Sequence, residues 1–256
     1  MKMPASKKNL KLVAFDLDGT LAESKSQLTK EMADLLTRLL DKMHVAIVSG
    51  AAFQQFEKQF LSTFNPESDH AGRVHILSTN GASLYEYDNS WNTLHTSTLT
   101  SVEKKKIFQA FDEALSETGF VYPETIYGIL IEDRDSQITF SAFGSEAPLA
   151  LKEGWDQDHA KRERIALALR ARLPEFSVRI GGSTSIDITA QGVDKASGLE
   201  RLMNHLDIAP HELLYIGDAL FPGGNDASVH RLGSHTLETS GPEETKKIIN
   251  DILSEE

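Results

Sequence analysis

Short apolar runs alternate with stretches of helical hydrophobic periodicity in the first part of the chain. The runs Leu12–Phe15, Val45–Val48 and Val74–Leu77 are brief and mainly apolar, which predicts buried strands. Between them, residues 28–43 and 53–61 place apolar side chains at the spacing of one helix face. The order strand, helix, strand, helix, strand predicts a parallel sheet whose strands are joined by crossover helices.

The pattern changes at about residue 83, where Ser83–Tyr87 alternates like a half-exposed strand. The segment from Thr100 to Glu103 has the capping-box sequence of a helix start. A second helix is expected over residues 158–173. Each helix is followed by two β-runs, which cover residues 126–132, 137–143, 176–180 and 184–189. This order predicts an α+β insert with an antiparallel sheet over residues 83–188.

The parallel pattern resumes after the insert. A helix face follows Lys195, strands are expected at Leu213–Ile216 and His235–Glu238, and a last helix runs to about Leu253. The sequence therefore predicts an α/β fold, a Rossmann-like parallel-sheet core with an inserted α+β cap domain. The core would be discontinuous and the cap continuous, with residues 1–82 and 189–256 in the core and residues 83–188 in the cap.

Composition narrows the classes of function. The formal net charge of −12 makes nucleic acids and acidic membranes unfavourable partners, because like charges repel. The absence of Cys excludes disulfides, thiolate catalysis and cysteine-ligated zinc. Residues 1–8 lack a signal-peptide pattern and no apolar run approaches about 18 residues, so neither export nor a membrane span is expected. The expectation is a cytoplasmic monomer or homodimer.

Polar residues stand where the core strands end. Ligands of parallel α/β sheets bind beyond the carboxyl ends of the strands, and Asp16, Ser49 and Asn80 follow at three such ends. Asp16 and Asp18 project from the same side of the strand, and Gly19 permits a tight turn whose N–H groups can face an anion. This arrangement suits a cation that bridges carboxylates to a phosphate, or a carboxylate that attacks phosphorus. The alternative is a strand end with two turn-forming Asp residues.

A phosphoryl-transfer site can be assembled from these groups. Asp16 and Asp218 offer the hard oxygen ligands that Mg²⁺ prefers, and a carboxylate can also act as a nucleophile. Lys195 would neutralise charge on the transferring group. Asp18 would protonate the leaving oxygen and later activate the second acceptor.

Ordinary structural roles remain open for several of these residues. Ser49 could cap a helix, and Lys195 could be a surface lysine. Asn225 and Asp226 could orient Asp218 from behind or cap the next helix.

Four segments in this order resemble the motifs of the haloacid dehalogenase-like phosphatase superfamily. They are Phe15–Leu21, Val48–Gly50, Gly192–Lys195, and Ile216–Asp218 followed by Asn225 and Asp226. The position of the insert resembles the superfamily's type IIB cap. The resemblance implies that Asp16 is the nucleophile, Asp18 the acid/base, and Asp16, Asp18 and Asp218 the magnesium site. It also implies that Ser49 and Lys195 bind phosphate.

Two segments narrow the resemblance further. Gly217–Asp226 and Ile180–Asp187 are similar to segments of the eukaryotic-type phosphomannomutases. The mutase cap holds a second phosphate with arginines. At the corresponding places this chain has Tyr127 and Ser145, and Arg134 is retained. In the loop after the first motif, Lys25 stands where the mutases carry Arg, and Lys lacks the planar bidentate fork.

These departures favour hydrolysis of a sugar phosphate over interconversion of mannose 1-phosphate and mannose 6-phosphate, which is the alternative. A non-catalytic phosphoester-binding module is a third hypothesis. The expected partner is a phosphorylated sugar. Ser185 and Asp187 share a strand face and could bind sugar hydroxyls. The remaining predicted substrate-binding residues are Lys25, Asn80, Gly81 and Arg134.

Overall fold

The chain divides into two compact units, and the first is assembled from two separate segments. The structure is a computed structural model that describes residues 9–24, 26–66 and 68–254. One unit comprises Met1–Thr96 and Asp194–Glu256, and the other comprises Ser97–Val193. Each unit has its own hydrophobic core.

The first unit is built on a mixed sheet. In the described residues, seven strands form this sheet in the order β11-β10-β1-β2-β3-β4-β5, and the first five of these run parallel. β1 lies in the middle and all of its residues are buried, as expected for a parallel strand covered on both faces. The strand bounds are β1 Leu12–Asp16, β2 His44–Val48, β3 Val74–Ser78, β4 Ser83–Tyr87, β5 Trp91–Thr96, β10 Leu213–Gly217 and β11 His235–Glu238. The predicted fold class is confirmed.

Helices cover both faces of this sheet. One face packs on the apolar sides of the first and last helices, and the other packs on the helix that begins at Lys195. The first helix begins where the side chain of Thr29 accepts a hydrogen bond from the N–H of Met32, which satisfies one free donor of its first turn. The helix bounds in this unit are α1 Lys30–Leu40, α2 Phe53–Phe56, α6 Lys195–Leu206 and α7 Pro242–Leu253.

The boundaries of the units differ from the predicted ones. β4 pairs antiparallel with β3 and β5 pairs with β4, so residues 83–96 belong to the first unit. The alternating pattern of β4 is typical of an antiparallel strand, which is why the sequence places it in the antiparallel insert. Phe53 packs on Tyr85 and Trp91, which ties this hairpin to the core. At the other end, residues 189–193 belong to the second unit.

The second unit is an α+β module. Its described strands form a four-stranded antiparallel sheet in the order β6-β7-β9-β8. Their bounds are β6 Ile131–Asp133, β7 Gln137–Ser141, β8 Phe176–Gly181 and β9 Ser185–Ala190. The helices are α3 Ser101–Glu117, α4 Leu149–Glu153 and α5 Ala160–Arg172. The predicted capping box of α3 is present, with reciprocal hydrogen bonds between Thr100 and Glu103.

Two details of this unit differ from the sequence prediction. The β-run expected at residues 126–132 is a strand only from Ile131, because Ile126 and Ile129 are exposed and pair with no strand among the described residues. The short helix α4 lacks a hydrophobic repeat long enough to predict it. None of the described helices is both long enough and apolar enough to cross a membrane.

Candidate active site

The carboxyl ends of three neighbouring strands bring the predicted site residues together. Asp16 is the last residue of β1 and is 2% exposed. β10 lies on one side of β1, in a register that pairs Phe15 with Ile216, and Asp218 follows directly after β10. On the other side, Asp16 pairs with Val48 of β2, and Ser49 comes next.

Lys195 enters this site from the first turn of α6. Its Nζ donates to Oδ1 of Asp16 at 2.5 Å and to Oδ1 of Asp226 at 2.7 Å. The lysine is fully buried, so it is not a surface residue. The carboxylate of Asp194 caps the helix one residue earlier, which fixes where the helix begins and therefore where the lysine projects.

Two glycines allow α6 to approach the site. A Cβ atom on Gly81 would lie 2.9 Å from the Cα of Gly198, so the loop after β3 and the first turn of α6 are in backbone contact. Gly81 also has a φ of +84°, a conformation that favours glycine. A hydrogen bond of 3.3 Å from Arg201 to the carbonyl of Gly81 fastens the same contact. We expect any larger residue at either glycine to displace Lys195.

Asp226 is held from three directions. It receives hydrogen bonds from Lys195, from the hydroxyl of Tyr215 at 2.5 Å and from the N–H of Ala219 at 3.1 Å. Like Lys195, it is fully buried. These bonds hold the carboxylate of Asp226 beside Lys195, and both of its oxygens accept hydrogen bonds.

Three carboxylates therefore converge. Among the described residues, Asp16, Asp218 and Asp226 form a cluster in which one carboxylate oxygen of each lies within 4.8 Å of the others. Gly19 lies against this cluster, because a Cβ atom there would overlap the carboxylate of Asp218, and its φ of +82° suits glycine alone. Asp226 thus belongs to the cluster, while its oxygens also accept the three hydrogen bonds described above.

The cluster carries an excess of negative charge. Burial, together with the nearby Asp226 and Asp218, raises the pKa of Asp16 well above its usual range, although Lys195 opposes the shift. Burial and Asp226 likewise raise the pKa of Asp218. Burial would lower the pKa of Lys195, but its two carboxylate partners outweigh burial and hold that pKa above the ordinary value. One ammonium among three carboxylates leaves a site that favours a proton or a metal cation.

The side chain of Asp18 contacts a residue outside this cluster. Its Oδ1 accepts a hydrogen bond of 2.9 Å from Nε2 of Gln59, and its carboxylate is not among the three that converge. The place of Asp18 in the predicted magnesium site stays a prediction. The side-chain oxygen of Asn225 is buried and has no hydrogen-bond partner in the part of the chain that the structure describes.

The residues after β2 and β3 contact each other through the backbone. The N–H of Asn80 donates to the carbonyl of Ser49 at 2.9 Å, with Asn80 in a left-handed conformation at a φ of +56°. The hydroxyl of Ser49 accepts a hydrogen bond from the N–H of Ala51, the geometry of a turn that leads into α2. Ser49 and Asn80 are both buried at the carboxyl edge of the sheet. Lys25 lies outside the described residues.

The predicted substrate-binding residues of the insert lie in the second unit. Arg134 donates to the carboxylate of Glu132 from Nε at 2.8 Å and from a terminal nitrogen at 2.6 Å. Asp187 accepts from the hydroxyl of Thr139 at 2.9 Å, across the β7–β9 pair. Ser185 begins β9, and the intervening Ile186 packs into the core of this unit, as the alternation predicts.

Sequence reasoning missed two residues of the core site. Tyr215 lies within the apolar run of β10, so its position predicts a core residue, yet its hydroxyl donates a hydrogen bond to Asp226. Gln59 is one of several polar residues on a predicted helix, and nothing in its spacing distinguishes it. A tyrosine two residues before a Gly-Asp strand end is the one available signal.

The fold and the site define an α/β protein with a buried acidic cluster at the carboxyl edge of its parallel sheet. A family model described as haloacid dehalogenase-like hydrolase matches residues 13–228. The chain belongs to this family.

Among curated relatives, the chain is similar to phosphomannomutases over nearly its whole length. It is 27% identical over 274 aligned positions to a probable phosphomannomutase of Caenorhabditis elegans, with 100% of this chain and 99% of the relative covered. It is 26% identical to the phosphomannomutase of Spinacia oleracea, with 94% and 95% covered.

Solved structures share the fold. An N-terminally truncated Plasmodium falciparum IMP-nucleotidase superposes with a TM-score of 0.71 at 18% identity, covering 97% of this chain and 71% of that one. A Streptococcus mutans protein superposes with a TM-score of 0.65 at 15% identity, covering 96% and 100%. At these identities the similarity extends to the fold alone.

Proposed function

We propose that this protein transfers a phosphoryl group through an aspartyl-phosphate on Asp16, with a phosphorylated sugar as its substrate. The observation that carries the proposal is the buried ion pair between Asp16 and Lys195 at the carboxyl edge of the sheet. A carboxylate is a competent nucleophile toward phosphorus, and an adjacent ammonium stabilises charge on the phosphoryl oxygens. A binding module has no need of such a pair, which counts against a non-catalytic role.

The residues of the cluster fit a magnesium ion. Three carboxylates with one ammonium form a hard oxygen donor set with uncompensated negative charge. Asp16 and Asp218 would hold the ion, and Asp226 would support them. A bound Mg²⁺ would neutralise charge on the phosphate and help to orient it.

The side chains supply the steps of the reaction. Asp16 forms a bond to phosphorus as the bond from phosphorus to the ester oxygen breaks, and Lys195 balances the negative charge of the transferring group. Asp18 gives a proton to the leaving oxygen. In the second half, Asp18 takes a proton from the acceptor, whose oxygen attacks phosphorus and releases Asp16. Water as acceptor gives hydrolysis, and a sugar hydroxyl gives a mutase.

The full-length relatives favour a sugar hydroxyl as the final acceptor. Both phosphomannomutases match nearly the whole chain, including the segment that forms the second unit. We therefore rank interconversion of mannose 1-phosphate and mannose 6-phosphate first. This reverses the order that the missing cap arginines suggest.

Hydrolysis remains the second candidate because of one contact in the second unit. The hydroxyl of Ser145, at a position where the mutases carry arginine, accepts a hydrogen bond of 3.2 Å from the backbone N–H of Ile129. Ser145 therefore serves its own loop and has no positive charge to hold a second phosphate. A mutase must hold the phosphate that is not transferred, whereas a phosphatase need not.

³¹P NMR separates the two candidates. The protein with Mg²⁺ is incubated with mannose 1-phosphate, with and without a trace of mannose 1,6-bisphosphate. Growth of mannose 6-phosphate with little inorganic phosphate supports the mutase, and accumulation of inorganic phosphate supports hydrolysis. Neither signal, with an aryl phosphate also unchanged, would contradict phosphoryl transfer.

Mg²⁺ is expected to raise the melting temperature, and more so at pH 8 than at pH 5.5. The raised pKa values of Asp16 and Asp218 mean that protons occupy the cation's ligands at lower pH. At a Mg²⁺ concentration about 100 times Kd, the free energy of unfolding rises by about 2.7 kcal/mol, which corresponds to about 5–10 °C in melting temperature. Thermal melts of wild type and Asp218→Asn test this expectation. An equal Mg²⁺ shift in both proteins would argue against a site at Asp218.

Two further expectations stay predictions. The net charge of −12 favours a small phosphorylated ligand over nucleic acid or membrane. A cytoplasmic location and a monomeric or dimeric state rest on sequence alone.

A further inference from the structure

Gln59 is a buried polar residue that contacts Asp18. It is 2% exposed, and its Nε2 donates to Oδ1 of Asp18 at 2.9 Å. The two residues are 41 positions apart, and Gln59 follows α2 while Asp18 follows β1. A side-chain amide that is nearly inaccessible and directed at a carboxylate restricts where that carboxylate can lie.

The backbone around Gln59 is unusual. Residues Glu57–Leu61 form a π-helical turn, a widened turn that is often found at functional sites. In an α-helix the carbonyl of Gln59 would accept from the N–H of Thr63, but that N–H donates to the carbonyl of Phe60 at 3.2 Å. The carbonyl of Gln59 instead accepts from the N–H of Leu28 at 2.9 Å.

Gln59 therefore joins both ends of the segment that follows β1. Its side chain binds Asp18 at the start of this segment, and its carbonyl binds Leu28 at the end. The π-helical turn leaves the carbonyl of Gln59 available to Leu28. In a regular α-helix the carbonyl would have its usual partner.

A neighbouring glutamine fixes the orientation of the amide. Nε2 of Gln55 donates to Oε1 of Gln59 at 3.4 Å. With its oxygen engaged by Gln55, the amide of Gln59 presents N–H to Asp18. The hydrogen bond sets the position of one carboxylate oxygen, and so the plane of the group and the position of the other oxygen.

We propose that Gln59 is a positioning residue for Asp18, and that it sets the orientation in which Asp18 transfers a proton to the leaving oxygen. This inference rests on the proposed function, in which Asp18 is the acid/base. Gln59 does not contact the reacting atoms, so its effect depends on how much the reaction needs that proton. A poor alkoxide leaving group needs it, whereas a nitrophenolate leaves readily without it.

The test compares kcat/KM for two substrates in Gln59→Met, which keeps the length of the side chain and removes the donor. With mannose 1-phosphate and a trace of mannose 1,6-bisphosphate we expect a loss of about 10-fold, a part of the 10²–10⁴-fold that general acid–base catalysis supplies. With 4-nitrophenyl phosphate we expect less than about a 2-fold change, because kcat/KM reports only the transfer to Asp16. Activity on the aryl phosphate also verifies folding.

Three further variants serve as comparisons for Gln59→Met. Asp18→Asn should show the same selectivity with a larger loss on the sugar phosphate. Gln54→Met changes an exposed residue of α2, the helix that leads into the π-helical turn, and this variant should match wild type on both substrates. Gln55→Met removes only the partner of the amide oxygen and should give a smaller selective loss. It provides the test if Gln59→Met does not fold.

The outcomes separate this inference from the proposed function. Equal losses on both substrates in Gln59→Met would mean a structural role and would overturn the inference. So would wild-type rates in Gln59→Met beside a selective loss in Asp18→Asn. An Asp18→Asn variant without selectivity, or wild-type protein inactive on both phosphates, would overturn the assigned role of Asp18 and this inference with it.

Discussion

Replacing Asp16 with Asn is expected to lower phosphoryl transfer by at least about 10⁴-fold and to leave the melting temperature nearly unchanged. The amide cannot form the acyl-phosphate bond, and loss of a nucleophile that acts in concert with other groups removes most of the catalysis. The fold should tolerate the change, because Asn has the same shape and Lys195 keeps its bond to Asp226.

The stability of this variant follows from the charges of the cluster. Burial and two neighbouring carboxylates raise the pKa of Asp16, so its ionised form opposes folding near neutral pH. Removing that charge costs the attraction to Lys195 but relieves repulsion from Asp218 and Asp226. We expect these contributions to cancel to within about 1 kcal/mol.

The measurement is the rate of substrate loss by ³¹P NMR, together with a thermal melt of each protein. Glu31→Gln is a matched control, because Glu31 also pairs with a lysine, Lys246, but its side chain is 70% exposed. It should retain full activity. Activity above about one hundredth of wild type in purified Asp16→Asn would show that another group is the nucleophile.

Most of the core could be predicted because its signals are local. A parallel strand covered on both faces must be apolar, and β1, β2, β3 and β10 coincide with short apolar runs in the sequence. The carboxyl ends of such strands meet at one edge. The grouping of Asp16, Ser49 and Asp218 therefore follows from their positions along the chain.

The edge of the sheet could not be predicted in the same way. β4 is half-exposed and antiparallel, so its pattern does not differ from that of the strands in the second unit. What assigns it to the core is the pairing with β3 and the contact of Phe53 with Tyr85 and Trp91. These contacts are long-range, and a single sequence carries no local sign of them.

Within the site, the sequence likewise points to some residues but not to the contacts that the fold creates. The position of Lys195 after a Gly-x-Asp segment indicates a functional lysine, but its partners lie 179 and 31 residues away and only the fold brings them together. Gln59 depends on a π-helical turn, which hydrophobic periodicity does not distinguish from an α-helix. The sequence therefore names most of the residues that the fold brings together here, whereas it gives no sign of Tyr215 and Gln59, which contact them.

Lys195→Met is expected to destabilise the protein by about 3–5 kcal/mol without divalent cation, and by much less with Mg²⁺. The variant buries three carboxylates without the ammonium that lies between two of them. Activity should also fall, because the transferring phosphoryl group loses the ammonium that balances its negative charge. For a chain of this size we expect a drop of about 10 °C in melting temperature.

The second lysine bridge of this chain is a close control. Lys246 also binds two carboxylates, Glu31 at 2.5 Å and Glu243 at 2.7 Å, which are the same distances as those of Lys195. The side chains of these two glutamates are 70% and 81% exposed, so water replaces the lysine when it is removed. Lys246→Met should cost no more than about 1 kcal/mol.

The pH dependence of Lys195→Met gives an independent check. Asp16 and Asp218 already have raised pKa values, and removing Lys195 removes an attraction that lowers both. When folding raises the pKa of a carboxyl, the protein becomes less stable as pH rises above the pKa of that group in the unfolded chain, about 3.9. The variant should therefore melt at a higher temperature at pH 5 than at pH 8, and Mg²⁺ should reduce that difference. If both lysine variants lost equal stability, burial would not be what makes the Lys195 bridge important.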